Sequence, residues 1–239
     1  MTIDVETEEY SLKVAMCKIT LRQWTDNKQT MNHKRLKQAE AEFLARYPGG
    51  FSHPDMLTIG KKHNVGKMTV QAHELLSKEA FQKTGPVLDS LIKIVSRSSM
   101  ISMFDKPKFR DYVNGLDRDE REALAMGFQL LLHGKQQKGF EIVLDILTRG
   151  KMARWSLITI CPTYMKPIDE VFVKPTTAKN VIKYLELENL DYKPRPSWEF
   201  YIEFRRQILA MKKMVDPSIS PSNAAFTGFL MMSLGDHQI

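Results

Sequence analysis

The sequence predicts an all-α fold, a compact bundle of about nine helices, and three observations carry that prediction. Apolar residues recur at three- and four-residue steps through most of the chain. The breaks between those stretches fall at Pro, Gly and capping residues. Alternating apolar–polar runs of the kind a half-buried strand needs are missing.

Taken in order, the first nine residues lack periodicity and cluster negative charge, so residues 1–10 read as a mobile acidic tail. Residues 28–47 form a helix that stops at Pro48-Gly49-Gly50. Met68, Ala72, Leu75, Leu76 and Ala80 share one helical face, as do Val87, Leu88, Leu91, Ile94 and Val95. Asp117 can accept a first-turn N–H from the helix that runs through Leu124, Phe128 and Leu131 to Gly134. Phe140, Val143 and Leu147 mark the next helix, closed at Gly150. Trp155–Cys161 mixes β-branched residues with helical spacing, and Pro162 is expected to break it. A helix over 177–187 follows Pro175, Ser197 caps a long amphipathic helix through Val215, and a short apolar helix follows Pro221. Residues 11–239 read as one domain, with 98–107 the place where a two-lobe division would fall.

Composition narrows the function classes. With 43% hydrophobic and 26% charged residues the chain is an ordinary globular one. Its best candidate for a membrane span, Trp155–Cys161, is seven residues long, against the roughly 18 a bilayer requires. The acidic start lacks the basic and apolar regions of a secretory signal, and only two cysteines occur, so a cytoplasmic protein is expected. The formal charge is +7, and the first ten residues hold four acids and no Lys or Arg, which leaves +11 on the rest. Such a surplus attracts polyanions, nucleic acid among them, although it also serves solubility.

Several motifs fail on inspection. Five residues separate Gly60 from Gly66-Lys67, not the four a phosphate loop needs, and Met68 replaces its metal-binding hydroxyl. His73-Glu74 opens like a helical zinc motif, but Ser77 takes the place of the second histidine. No cofactor or metal is indicated. Pairs of carboxylates (Asp145 or Glu141 with Asp169 or Glu170) are too common in a chain of this size to argue acid–base chemistry.

The basic clusters point to anion or nucleic-acid binding. Lys34, Arg35 and Lys37 follow Asn32 on a helix, and Lys61, Lys62 and Lys67 surround a turn. Each phosphate neutralised by such groups would release counterions; the competing reading is a solvated helix face. Lys174 sits before Pro175, which holds it extended, with Thr176 or Thr177 placed to cap the next helix. That corner could hold an anion, or Phe172 and Val173 could plug the core while Lys174 reaches water. Tyr192 with Lys193 and Arg195 reads as a proline-stiffened basic connector. Met211, Met214, Met231 and Met232 read as adaptable core filling or as a partner surface.

Arg46-Tyr47-Pro48-Gly49-Gly50-Phe51, Phe172-Val173-Lys174-Pro175-Thr176 and Tyr192-Lys193-Pro194-Arg195-Pro196-Ser197-Trp198 together resemble an uncharacterised family of bacterial helical proteins. The resemblance is concentrated in residues 140–215; it implies a bacterial, cytosolic helical domain and supplies no activity. A fainter likeness is to helix-hairpin-helix DNA glycosylases, whose Gly-rich hairpin and catalytic Asp have no counterpart here. Three functions follow as expectations: contact with nucleic-acid backbone, a small enzyme gripping an anionic substrate at Lys174-Pro175-Thr176, or a protein-interaction adaptor.

Overall fold

A computed structural model describes residues 31–235, so the acidic stretch at 1–10 lies outside the described residues. Among the described residues there is no strand. The helices are α1 (His33–Arg46), α2 (Pro54–His63), α3 (Val65–Leu75), α4 (Thr84–Arg97), α5 (Asp105–Gly115) and α6 (Arg118–His133). They continue as α7 (Gln136–Arg149), α8 (Trp155–Met165), α9 (Pro175–Tyr184), α10 (Trp198–Lys212) and α11 (Asn223–Gly235), with short 3-10 turns at 50–52, 79–82 and 217–219. Side-chain caps close several starts. Asn32 accepts the Arg35 N–H at 3.1 Å, Asp117 that of Glu120 at 2.8 Å and Ser197 that of Phe200 at 3.3 Å.

The centre of the bundle is α8, buried at every position except Ser156. A helix that is apolar all round has no face for water, so the others wrap it. Pro162 does not break this helix, contrary to expectation; α8 runs through it to Met165. An interior proline costs about 3 kcal/mol. Complete burial of Leu157, Ile158 and Ile160 outweighs that at roughly 1.5–3 kcal/mol each. The helix's buried threonine hydroxyls are also satisfied: Thr159 donates to the Trp155 carbonyl at 2.8 Å and Thr163 to that of Thr159 at 2.7 Å.

Helices α6 and α7 form a hairpin in near backbone contact. A Cβ on Gly139 would lie 2.1 Å from the Leu131 nitrogen, so only glycine fits there. One connected set of buried side chains extends from Met31 to Leu234. Within the 98–107 stretch, residues 98–104 are a short connection and 105–107 begin α5; Ser98 is buried and hydrogen-bonds the Tyr164 hydroxyl at 2.8 Å.

A buried polar knot fastens the last third. Glu170 is nearly inaccessible; one carboxylate oxygen accepts from Gln136 at 2.7 Å and Arg205 at 2.5 Å, and the other accepts from the Tyr201 hydroxyl at 2.5 Å. Asn223 donates to the Glu170 carbonyl at 3.0 Å and accepts from Lys212 at 2.9 Å. The knot therefore ties α7, the turn after α8, α10 and α11. On α11, Phe226, Phe229 and Leu230 point into the core, and Phe229 meets Phe43 of α1 edge-on at 5.2 Å.

Candidate ligand-binding groove

Helix α2 ends in Lys61, Lys62 and His63, where the negative end of the helix dipole favours cations. Asn64 follows with φ 46°, its N–H bonded to the Gly60 carbonyl at 2.9 Å, and α3 begins at the next residue. Asn is one of the few side chains that accept this left-handed conformation. The chain turns there without a linker, which holds Lys61, Lys62 and Lys67 around a sharp, exposed corner. Gly60 and Gly66 therefore belong to a helix–helix corner and not to a strand–loop–helix phosphate cradle.

Beside the corner lies a cleft of about 440 Å³ lined by Lys61, Lys62, His63, Asn64, Lys67, Met68, Gln71, Arg97 and Ser99. Its lining holds four Lys or Arg residues and no Asp or Glu. The His63 ring Nδ1 is 3.0 Å from the Ser99 hydroxyl. No carboxylate among the described residues is bonded to the ring's other nitrogen, so the pair lacks the orienting group of a hydrolytic triad.

Adjoining that cleft, and sharing Lys61, His63, Asn64 and Ser99 with it, is a larger apolar groove of about 660 Å³. Phe51, Met56, Leu57, Met100 and Phe172 form part of its wall, and α11 closes it with Ala224, Ala225, Gly228, Met231 and Met232. Lys61, His63, Lys174 and Thr177 supply polar groups, and again no acid is present. The Lys174 ammonium lies 3.4 Å from the Met231 sulfur, and no carboxylate among the described residues is bonded to it.

The structure separates the cationic residues that sequence reasoning grouped. Arg35 donates to the Tyr184 carbonyl at 2.8 Å and pairs with Glu186 at 2.9 Å. Lys37 pairs with Glu40 at 2.7 Å and donates to the Met214 carbonyl at 2.6 Å. Both fasten α1 to the C-terminal helices, and of that cluster only Lys34 stands exposed without a described partner. Lys193 lies 3.6 Å from Asp191, and it shares a hollow with Arg195, Glu141 and Glu199, so acids surround that connector. Lys174 is itself the N-cap of α9, with Pro175 in the first turn and no side-chain cap. The expected capping by Thr176 or Thr177 is not made; Thr177 lines the groove and Thr176 is exposed outside it.

What converges is Lys61, Lys62, Lys67, Lys174 and Thr177, joined by Arg97, His63 and Ser99, which sequence reasoning missed. Arg97 closes α4 and its neighbours are far off in the chain, so no local pattern marks it. Among the described residues no three of His, Cys, Asp and Glu gather as a metal site, and no helix is long and apolar enough to cross a membrane. His73 is exposed, and the surveyed carboxylates do not form a pair: Asp145 is held by Arg149 at 2.7 Å, while Glu170 is sunk in the knot. Burial pushes the Cys161 thiol up to about 12, which makes it a poor nucleophile.

No protein-family model, curated protein or solved structure matches this chain.

Proposed function

We propose that this protein binds a monomeric amphipathic anion, with its apolar tail in the groove and its acidic head beside Lys61 and Lys174. The observation that carries this reading is an apolar groove lined by Lys61 and Lys174 with, among the described residues, no Asp or Glu in its wall. A volume near 660 Å³ lies within the roughly 300–1,000 Å³ of small-molecule sites. Apolar lining with a few polar groups is the usual composition of such sites. Methionines suit an irregular tail because the thioether chain is unbranched and adaptable. The tail supplies most of the affinity, about 0.8 kcal/mol per buried CH₂, and the exposed ammonium groups about 0.2–1 kcal/mol each.

The test is a series of straight-chain carboxylates titrated calorimetrically below their micelle concentrations. Each two-carbon extension should tighten binding about tenfold until the groove is full. Gly228→Leu should abolish the series while leaving the fold intact, because a Cβ there meets only the Phe51 ring, at 3.8 Å. Affinity independent of chain length, or unaltered in G228L, would reject the reading.

Contact with nucleic-acid backbone is the second reading, favoured by the acid-free cleft at the α2–α3 corner. It requires retention on duplex DNA that falls steeply with salt.

A further inference from the structure

The groove and the cleft share Lys61, His63, Asn64 and Ser99 in their linings, so the apolar space and the cationic one are immediate neighbours. A carboxylate head would need only the cations that border the groove. The cleft adds Lys62, Lys67 and Arg97, none with a described acidic partner, and Ser99, whose hydroxyl lies 3.0 Å from the His63 Nδ1, lines both spaces. A compact dianion with several acceptor oxygens matches that set. A phosphate monoester carries about −1.5 to −2 charge near neutrality and three acceptor oxygens. Arginine engages phosphate through two parallel N–H bonds, and lysines complement it as point charges.

We infer that the groove and the cleft form one composite site for a single-chain amphiphile with a phosphorylated head, the acyl chain in the groove and the phosphate between Lys62, Lys67 and Arg97. This rests on the amphipathic-anion reading and narrows it to a head-group chemistry. Such a ligand is bound as a monomer, because a chain drawn into the α11 groove has left its aggregate or bilayer.

The experiment titrates the full chain with laurate and 1-lauroyl glycerol 3-phosphate, both below their micelle concentrations, and with glycerol 3-phosphate. The phosphorylated amphiphile should bind about tenfold tighter than laurate or better, and glycerol 3-phosphate should bind far more weakly than either. The triple variant Lys62→Gln, Lys67→Gln, Arg97→Gln should lose the preference for phosphate and keep laurate affinity. All three side chains are exposed, so the fold should survive; an unchanged melting profile verifies it, and the three single substitutions serve if the triple does not fold. G228L should lose both acyl ligands.

Laurate binding without a preference for the phosphorylated chain overturns this inference and leaves the broader reading standing. Failure of both acyl ligands removes the two together. Co-sedimentation with vesicles of anionic phospholipid, or retention on duplex DNA, in the absence of monomer binding also overturns the composite site and assigns the cleft to a surface or a nucleic acid.

Discussion

Arg205 and Lys174 are cations in the same third of the chain with opposite fates. Arg205 is largely covered, its guanidinium held at 2.5 Å by Glu170, which also accepts from Gln136 and the Tyr201 hydroxyl. Lys174 is exposed beside a methionine sulfur at the edge of an apolar hollow. A buried charge must be matched within the protein, since leaving it unmatched costs several kcal/mol. A charge at a rim keeps its water and can exchange it for a ligand's acid. The first kind of residue belongs to the fold, and the second is available for recognition.

Removing each cation in turn is the sharpest way to break this contrast. Arg205→Met should destabilise the protein by about 3 kcal/mol, the low end for a broken buried pair because Arg205 is not wholly enclosed, measured by urea unfolding. Lys174→Met should leave that midpoint unchanged. Equal effects would dissolve the distinction. Next in size is G228L, for which at least a hundredfold loss of acyl-ligand affinity is expected, equivalent to about 2.7 kcal/mol. Its unfolding midpoint should hold or rise, since glycine is the poorer helix former by about 1 kcal/mol.

Alkaline pH sharpens the comparison from the buried side. Burial pushes Tyr164 up to about 12 from 10.0, with the Ser98 hydrogen bond pulling the other way. The folded protein therefore keeps this proton over a range in which the unfolded chain releases it. The resulting stability is complete below pH 10 and is lost as pH climbs from 10 towards 12. Tyr164→Phe should flatten that limb by up to one proton's slope, about 1.4 kcal/mol per pH unit. Urea midpoints at stepped pH read it out, and an unchanged slope would show that Tyr164 is not the group responsible. The smallest effect is Lys174→Met on laurate binding, a loss of about two- to fivefold, as one exposed ion pair warrants.

Much of the fold was legible in the sequence because helical spacing and caps are local signals. Asp117 and Ser197 cap the helices they were expected to cap. Pro54–His63 and Asp105–Gly115 went unread, because each buries only one or two side chains and so shows little periodicity. Pro162 misled because a local breaking tendency was overridden by packing that only the assembled bundle supplies. The candidate site was legible in part. Lys61, Lys62, Lys67 and Lys174 stand out as residue types, but whether a cation is spent depends on what folds against it. Arg35 meets Glu186 from the far end of the chain, and Lys37 meets the backbone after α10. Glu40 lies one turn from Lys37 and is visible locally, but these distant partners are not.

Asn64 carries one further consequence. Two helices abut at a single left-handed residue, so the spacing of the amines they bear depends on one pair of torsions as well as on the packing of Met56, Met68 and Ala72 in the core. A β-branched residue there would pay about 1–2 kcal/mol of backbone strain, and relief of that strain would swing the amines apart. The width of this corner is thus set in part by the main chain, at a residue that lines both hollows.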